Sequence, residues 1–536
     1  MSIKLKSVED FAKTKIPDGE AVELESYSIN SFLGGGLFIE ADKTKAIELD
    51  GIGYKTASGK FYIRKPDDNT IHLEDIGWTP LMAGDSVPIL NKIFDAAVKT
   101  GYKIKLPKAE VFVCNSNIEI PDGVTYIDGN DSTILYRNVD TNTRAKWFET
   151  RNKANNITIR NLHISYDPTD TTIASVIGFR SENRSGVKLI DCKVKSKENH
   201  TIMMRVSNSA QDYATKDVEG CVVDGCEATI RLAVQDTKKQ NIVFDCDGLG
   251  AMDTYWLSNH AILPSPTGYV HRGHTIINNK TFGGRYNIFG SYINNCTIRN
   301  NKCYKGIRGI VMENACYGNT ITDNRVCEVQ SSSYLLSYGI HNNALTYNEA
   351  YTSIGTVQGF VQCNVDISNN RIENCKFENT SPAGMKFAIY CGINAVNNYF
   401  KNIDINATCD RSLIAIESDW IKGDTVNGYG STTTIADGAV WGSIDSTGNT
   451  FENITLNSSS ANKCNGVLLQ SGGVNLTKTV LNGIKIKSST LLYDIAAYNS
   501  GPGAIKGTTL INSDFNISKS ILDPLSNIPM IGETPS

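Results

Sequence analysis

The chain reads as an all-β protein whose body is a right-handed parallel β-helix. Three observations predict this. Short alternating apolar runs recur from about residue 108 onward with almost no helical periodicity. They recur at offsets in the low twenties, such as the 23 residues from Ile298 to Ile321. Asparagine makes up about a tenth of the 536 residues, with 45 glycines. Asn tolerates the left-handed bend between strands, and its amide can bond its copies in the turns above and below.

Residues 1–80 differ from the rest. Strand-like runs AVELESYSI and KFYIRKP surround FLGGGLFIEAD, which predicts a small β-rich module. Residues 81–107 hold the one clear helix and a first strand. Ile89, Leu90, Ile93, Phe94, Ala97 and Val98 recur at helical spacing. Asp85 or Ser86 is placed to cap the start, Pro88 lies in the first turn, and Gly101 suits the left-handed end. Residues 108–520 carry the repeats, including ITIRNLHISYD, CTIRNNKCYKG, TITDNRVCEV, VDISNNRIENCKF and NLTKTVLNGIKI. The offset of 46 from Ile321 to Ile367 reads as two turns, and the 29 from Ile367 to Val396 as one turn with a longer loop. Residues 521–536 form a short tail.

Composition excludes several functions. With 52 Lys+Arg against 56 Asp+Glu the net charge is −4, so nucleic acid is not expected as a partner. No run of about 20 apolar residues exists, so no membrane insertion is expected, and the first residues lack the apolar core of a secretory signal. The 14 cysteines form no CxxC pair, which predicts buried free thiols, synthesis in a reducing cytoplasm and no zinc site. HRGH at 271–274 has no metal-ligand spacing, and neither a metal nor a cofactor is expected.

The order of the Gly-rich module, the DSVPILNKIFDAAVKTGYKIKLPKAEVFV helix–strand unit, IEIPDGVTYIDGNDSTI and then Asn-rich rungs resembles bacteriophage tailspikes with a pectate-lyase-like β-helix. The resemblance implies a capsular polysaccharide depolymerase that recognises the host cell. It implies a helix closing the mouth of the coil, a homotrimer, a phage tail or baseplate partner, and a place on the virion tail. It supplies no catalytic residue, because active-site positions in that family differ with the glycan.

Candidate site residues therefore come from the alternation itself. Outward positions in strands SVIGFR, TIMMR, GIVME, SYGIH, LIAIESD and GVLLQ give Arg180, Arg205, Glu313, His341, Glu417, Asp419 and Gln470 as one polar wall. Glycoside hydrolysis needs two carboxylates, one to protonate the leaving oxygen and one to activate water or attack carbon. Glu417 and Asp419, at i and i+2 on one face, lie about 7 Å apart along a strand, near the inverting spacing. Glu313 is the third catalytic candidate, about three rungs away. Arg180 and Arg205 suit acidic groups of a glycan. His341, Tyr338, Trp420 and Trp256 are further substrate-binding candidates, with the 248–274 loop, including His260, His271, Arg272 and His274, at one end of the groove. An endo-acting hydrolase of bacterial surface polysaccharide is the leading expectation. A lyase using His341 with Tyr338, or Lys386 with Tyr390, is the nearest alternative. A non-catalytic glycan adhesin is the third.

Overall fold

The structure is a computed structural model. It describes residues 2–29, 31–42, 48–137, 145–151, 156–170, 175–197, 200–206, 217–230, 240–246, 271–337, 339–354, 359–382, 384–418, 425–428, 431–434, 445–458, 464–471, 475–488, 490–499, 503–516 and 520–522. The chain divides into two compact units, residues 1–198 and 199–536.

In the first unit a five-stranded sheet spans Ser2 to Arg64. Its core is Phe11, Val22, Leu24, Phe38 and Tyr62. Arg64, 2% exposed, donates to the carbonyls of Gly34, Gly35 and Gly51 and pairs with Asp75 at 3.0 Å. One guanidinium thus satisfies the backbone that the glycine-rich turn leaves open. The helix Val87–Thr100 follows. Ser86 is its N-cap residue, but the Asp85 carboxylate receives the Val87 N–H at 3.2 Å, and Gly101 ends the helix at φ 73°. Leu90, Ile93, Phe94 and Ala97 are buried as the spacing predicts. Val98 is not: it is 40% exposed, because the buried stripe runs through Val87 and Ala96 instead. Parallel strands then stack in turns, with Ile104, Ile127, Ile159 and Leu189 in one column.

The second unit repeats this arrangement with three strands per turn. Two belong to one long parallel sheet and the third to another. The coil is a parallel β-helix. Ile276, Ile298, Ile321, Leu345, Ile372, Phe400, Phe451, Leu481 and Leu510 form one inward column. The 23-residue step from Ile298 to Ile321 is present. The alignment of Ile321 with Ile367 is not: Ile367 stacks on Ile340 and Ala395, in the other sheet, and Val396 on Ser368. Turns lengthen as loops grow, and Asn398 lies 51 residues from its neighbour Asn449, so a fixed period drifts out of register.

The asparagine doublets explain the corners. In Asn278–Asn279, Asn300–Asn301, Asn342–Asn343, Asn369–Asn370 and Asn397–Asn398 the first residue takes positive φ, between 53° and 59°. The second turns its amide inward. Asn343 Oδ1 receives the Asn319 N–H at 2.8 Å, and the pattern continues through Asn370, Asn398 and Asn449. A second column runs Asn279, Asn301, Asn324, Asn348. These amides satisfy backbone N–H groups that the bend removes from the ladder.

Thirteen described cysteines are free and buried. Burial pushes the Cys296, Cys303, Cys316 and Cys391 thiols up to about 12, so they carry no thiolate at neutral pH. The side chain of the fourteenth, Cys246, lies outside the described residues. The native protein is expected to release colour from no more than one thiol with an aromatic disulfide reagent at pH 8, and from all of them after unfolding in guanidinium. Rapid reaction of several thiols in the native state would contradict the burial.

Candidate functional site

The third strand of each turn in the second unit places one residue in a common outer row. Strand register puts Ser291, Glu313 and Ser337 side by side. Leu336 pairs with Cys363 and Cys363 with Cys391, which sets Asn364 and Gly392 next. Cys391 pairs with Ile416, so Glu417 follows Gly392, and Gln470 and Tyr498 pair in turn beyond it. Arg205 lies in the same row, since it pairs with Asp245 and Phe244 pairs with Gly290. Glu313 and Glu417 are therefore four rungs apart rather than three, about 19 Å at the usual strand spacing. Ile414 and Ile416 point inward and are fully buried, as the alternation requires.

The row differs from a solvated wall. Glu313 is 1% exposed and Glu417 3%. Beside it runs an apolar outer column, with Val243, Phe289, Val311 and Leu335 at one end and Ala415, Leu468 and Ala496 at the other. Two similar assemblies cover it. Around Glu313, Tyr286 stacks on Phe289 at 5.4 Å, and the Arg308 guanidinium lies 5.6 Å over Tyr286. Around Glu417, Phe387 and Tyr390 meet at 5.1 Å, and Arg411 lies 5.4 Å over Phe387. Both use an aromatic, two residues, an aromatic, then an arginine on the next rung that precedes the glutamate. The sequence contains this pattern, but its halves lie about 20 residues apart and periodicity alone does not join them.

The Glu417 assembly is the more open one. Arg411, 34% exposed, pairs with Glu417 at 2.8 Å and donates from the same nitrogen to Gln470 Oε1. The Arg411 guanidinium orients the Glu417 carboxylate through a charge-assisted contact. Partly exposed Tyr493 packs on the same aromatic cluster. Asp419, the expected partner of Glu417, lies outside the described residues, as do Trp420, Tyr338, Trp256 and His260.

Other candidates have partners of their own. Arg180 belongs to the first unit and is ion-paired with two buried carboxylates, Glu149 at 3.2 Å and Glu182 at 2.7 Å. That is a structural clamp more than a waiting anion site. His341 is outside the row: it stacks between Tyr317 and Ser368, with its Nδ1 2.6 Å from Ser368 Oγ. Lys386 lies 5.5 Å over Phe387, while Tyr390 is buried beside it. Arg272 pairs with Asp217 at 2.7 Å.

His271 and His274 do not line a groove. They are 0% and 1% exposed; His274 takes an asparagine place in the corner column, and His271 stacks on the core residue Ile293. His274 Nδ1 receives the Cys221 N–H at 3.0 Å, so its proton is on Nε2, which faces His271 Nδ1 at 3.2 Å. Each facing nitrogen is already engaged, and the pair does not fit a metal ion. Among the described residues no group of three His, Cys, Asp or Glu side chains is placed to hold one. Burial, then the neighbouring His271, holds the His274 ring well below its usual range. Its folded pKa is depressed, so its neutral form contributes stability above about pH 6.5 that is lost as pH falls below that value. The Cys221 N–H and the Cys296 sulfur, whose thiol burial pushes up to about 12, share the site. His274→Asn supplies the column's own acceptor, so it is expected to keep the melting temperature at pH 7 and reduce its fall between pH 7 and 5. An unchanged pH profile would remove His274 as the cause.

Comparison with known proteins gives these likenesses. The family model described as periplasmic copper-binding protein (NosD) matches residues 258–449, little more than a third of the chain. No curated protein matches the sequence. Similar solved structures include the enzymatically active domain of bacteriophage CBA120 tailspike protein 4, at 11% identity and TM-score 0.45, covering 70% of this chain and 48% of that one. Pantoea stewartii WceF, a glycan biofilm modifying enzyme with a tailspike-like parallel β-helix, is 14% identical with TM-score 0.32, covering 69% and 49%. PfbA, a surface adhesin of Streptococcus pneumoniae, is 11% identical with TM-score 0.42, covering 82% and 91%. The chain thus spans about half the length of the first two. No described helix is long and apolar enough to cross a membrane.

Proposed function

We propose that the chain is a phage tailspike that binds and depolymerises bacterial surface polysaccharide, cleaving within the polymer by hydrolysis. The observation that carries this reading is the Glu417 assembly, in which a carboxylate, a guanidinium and an amide sit beside aromatic rings on the outside of the coil. Pyranose rings offer hydroxyls at their rim and apolar faces, which such a mixed surface matches. In this reading Glu417 is the base or nucleophile, and Asp419 the partner acid. A homotrimer on the virion tail, reached through the sequence resemblance, belongs to the same proposal.

The test is incubation of the protein with purified capsules from a panel of bacterial strains, read by polymer length and product mass. Hydrolysis gives shorter chains whose masses include added water. A product with a new carbon–carbon double bond, absorbing in the ultraviolet, would replace hydrolysis by β-elimination. Binding without shortening would leave an adhesin.

A further inference from the structure

We propose that Tyr498, with Tyr493, forms a sugar-stacking subsite two rungs from Glu417, so that the polymer lies lengthwise along the coil. This rests on the reading of Glu417 above and names the residues that hold the neighbouring part of the same substrate. Register carries the argument: Glu417 pairs with Gln470, and Gln470 with Tyr498, in one outer row. The distance from Glu417 to Tyr498 is therefore about 10 Å along the axis, with the Gln470 amide between them. Tyr498 is 37% exposed, while Glu417 is 3% exposed. The row thus opens toward this end.

Exposure elsewhere sharpens the point. Four large apolar or aromatic residues of the second unit are conspicuously exposed among those described: Tyr347, Ile354, Leu492 and Tyr498. Two of the four flank Tyr493, which itself packs on the Phe387–Tyr390 cluster beside Glu417. An open aromatic ring next to an amide and a guanidinium suits the apolar face of one sugar and the hydroxyls of the next. A polymer crossing the coil at right angles would touch Glu417 without reaching Tyr498. One running along it meets Arg411, Gln470 and Tyr498 in order.

The experiment uses the full chain and size-graded fragments of whichever panel capsule binds the Glu417→Gln protein. Tyr498→Ala is expected to raise KM on long fragments about tenfold, with kcat and melting temperature unchanged. Fragments too short to span two rungs should show no difference, and Tyr498→Phe should behave as wild type. If capsule is cut but Tyr498→Ala leaves KM unchanged at every length, the lengthwise subsite falls and the Glu417 reading stands. If no capsule is bound or cut, the parent reading falls and takes the subsite with it.

Discussion

Replacing Glu417 by Gln is expected to slow depolymerisation by about 10²–10⁴-fold while leaving glycan binding in place. Gln keeps the shape and accepts the Arg411 hydrogen bond, but it cannot take a proton or attack carbon. The melting temperature should fall little, because Arg411 also donates to Gln470 and stacks on Phe387. Arg411→Met is the companion variant. It removes the Arg411 contact from a buried carboxylate, so it should cost stability as well as rate. Rates are read as new chain ends per unit time on the capsule that the wild type shortens. Wild-type rates in Glu417→Gln would exclude Glu417 from the chemistry. Glu313→Gln serves as a control, since its site is closed over and four rungs distant.

The second large effect is on stability. Asn343→Leu removes the acceptor for the buried Asn319 N–H and the donor to the Cys316 and His341 carbonyls. An orphaned buried N–H with the lost amide bonds should cost about 3 kcal/mol. Unfolding of a long repeat is governed by rate, so the readout is the unfolding rate in guanidinium, expected to rise about 10–100-fold. Asn342→Gly, one residue earlier, should change that rate very little, because Gly accepts the positive φ of 56° found there. Equal effects from the two would mean that the doublet does not divide its work between bend and ladder.

Much of the fold was legible because strand repetition repeats chemistry. Inward Ile414 and Ile416 predicted outward Glu417, and the recurring Asn between apolar runs marked the corners. What was not legible has one physical source. Pairing register depends on the length of every loop before it, and a loop that grows from one turn to the next leaves no local mark. That is why Ile367 was placed in the wrong column and the Glu313–Glu417 separation came out one rung short. The candidate site suffered more. Alternation says which side a residue faces but not what packs over it, so Glu313 and Glu417 looked solvated. Arg180 looked like an anion trap because Glu149, its buried partner, lies 31 residues away on another turn. His274 looked like a loop residue because a histidine in an asparagine position carries no local signature.

The corner amides have a consequence for how such a chain can change. Asn343 and Asn370 are linked across 27 residues, and Asn398 and Asn449 across 51, by the same bond. The joint senses only what arrives at the corner, not how far the chain travelled. New sequence can therefore be inserted between the Glu417 strand and Asn449 without retuning the core. In the proposed reading, binding preference is exchanged on that side while the scaffold is inherited intact. A loop transplanted into this interval should alter which polymer is held and leave the unfolding rate where it was.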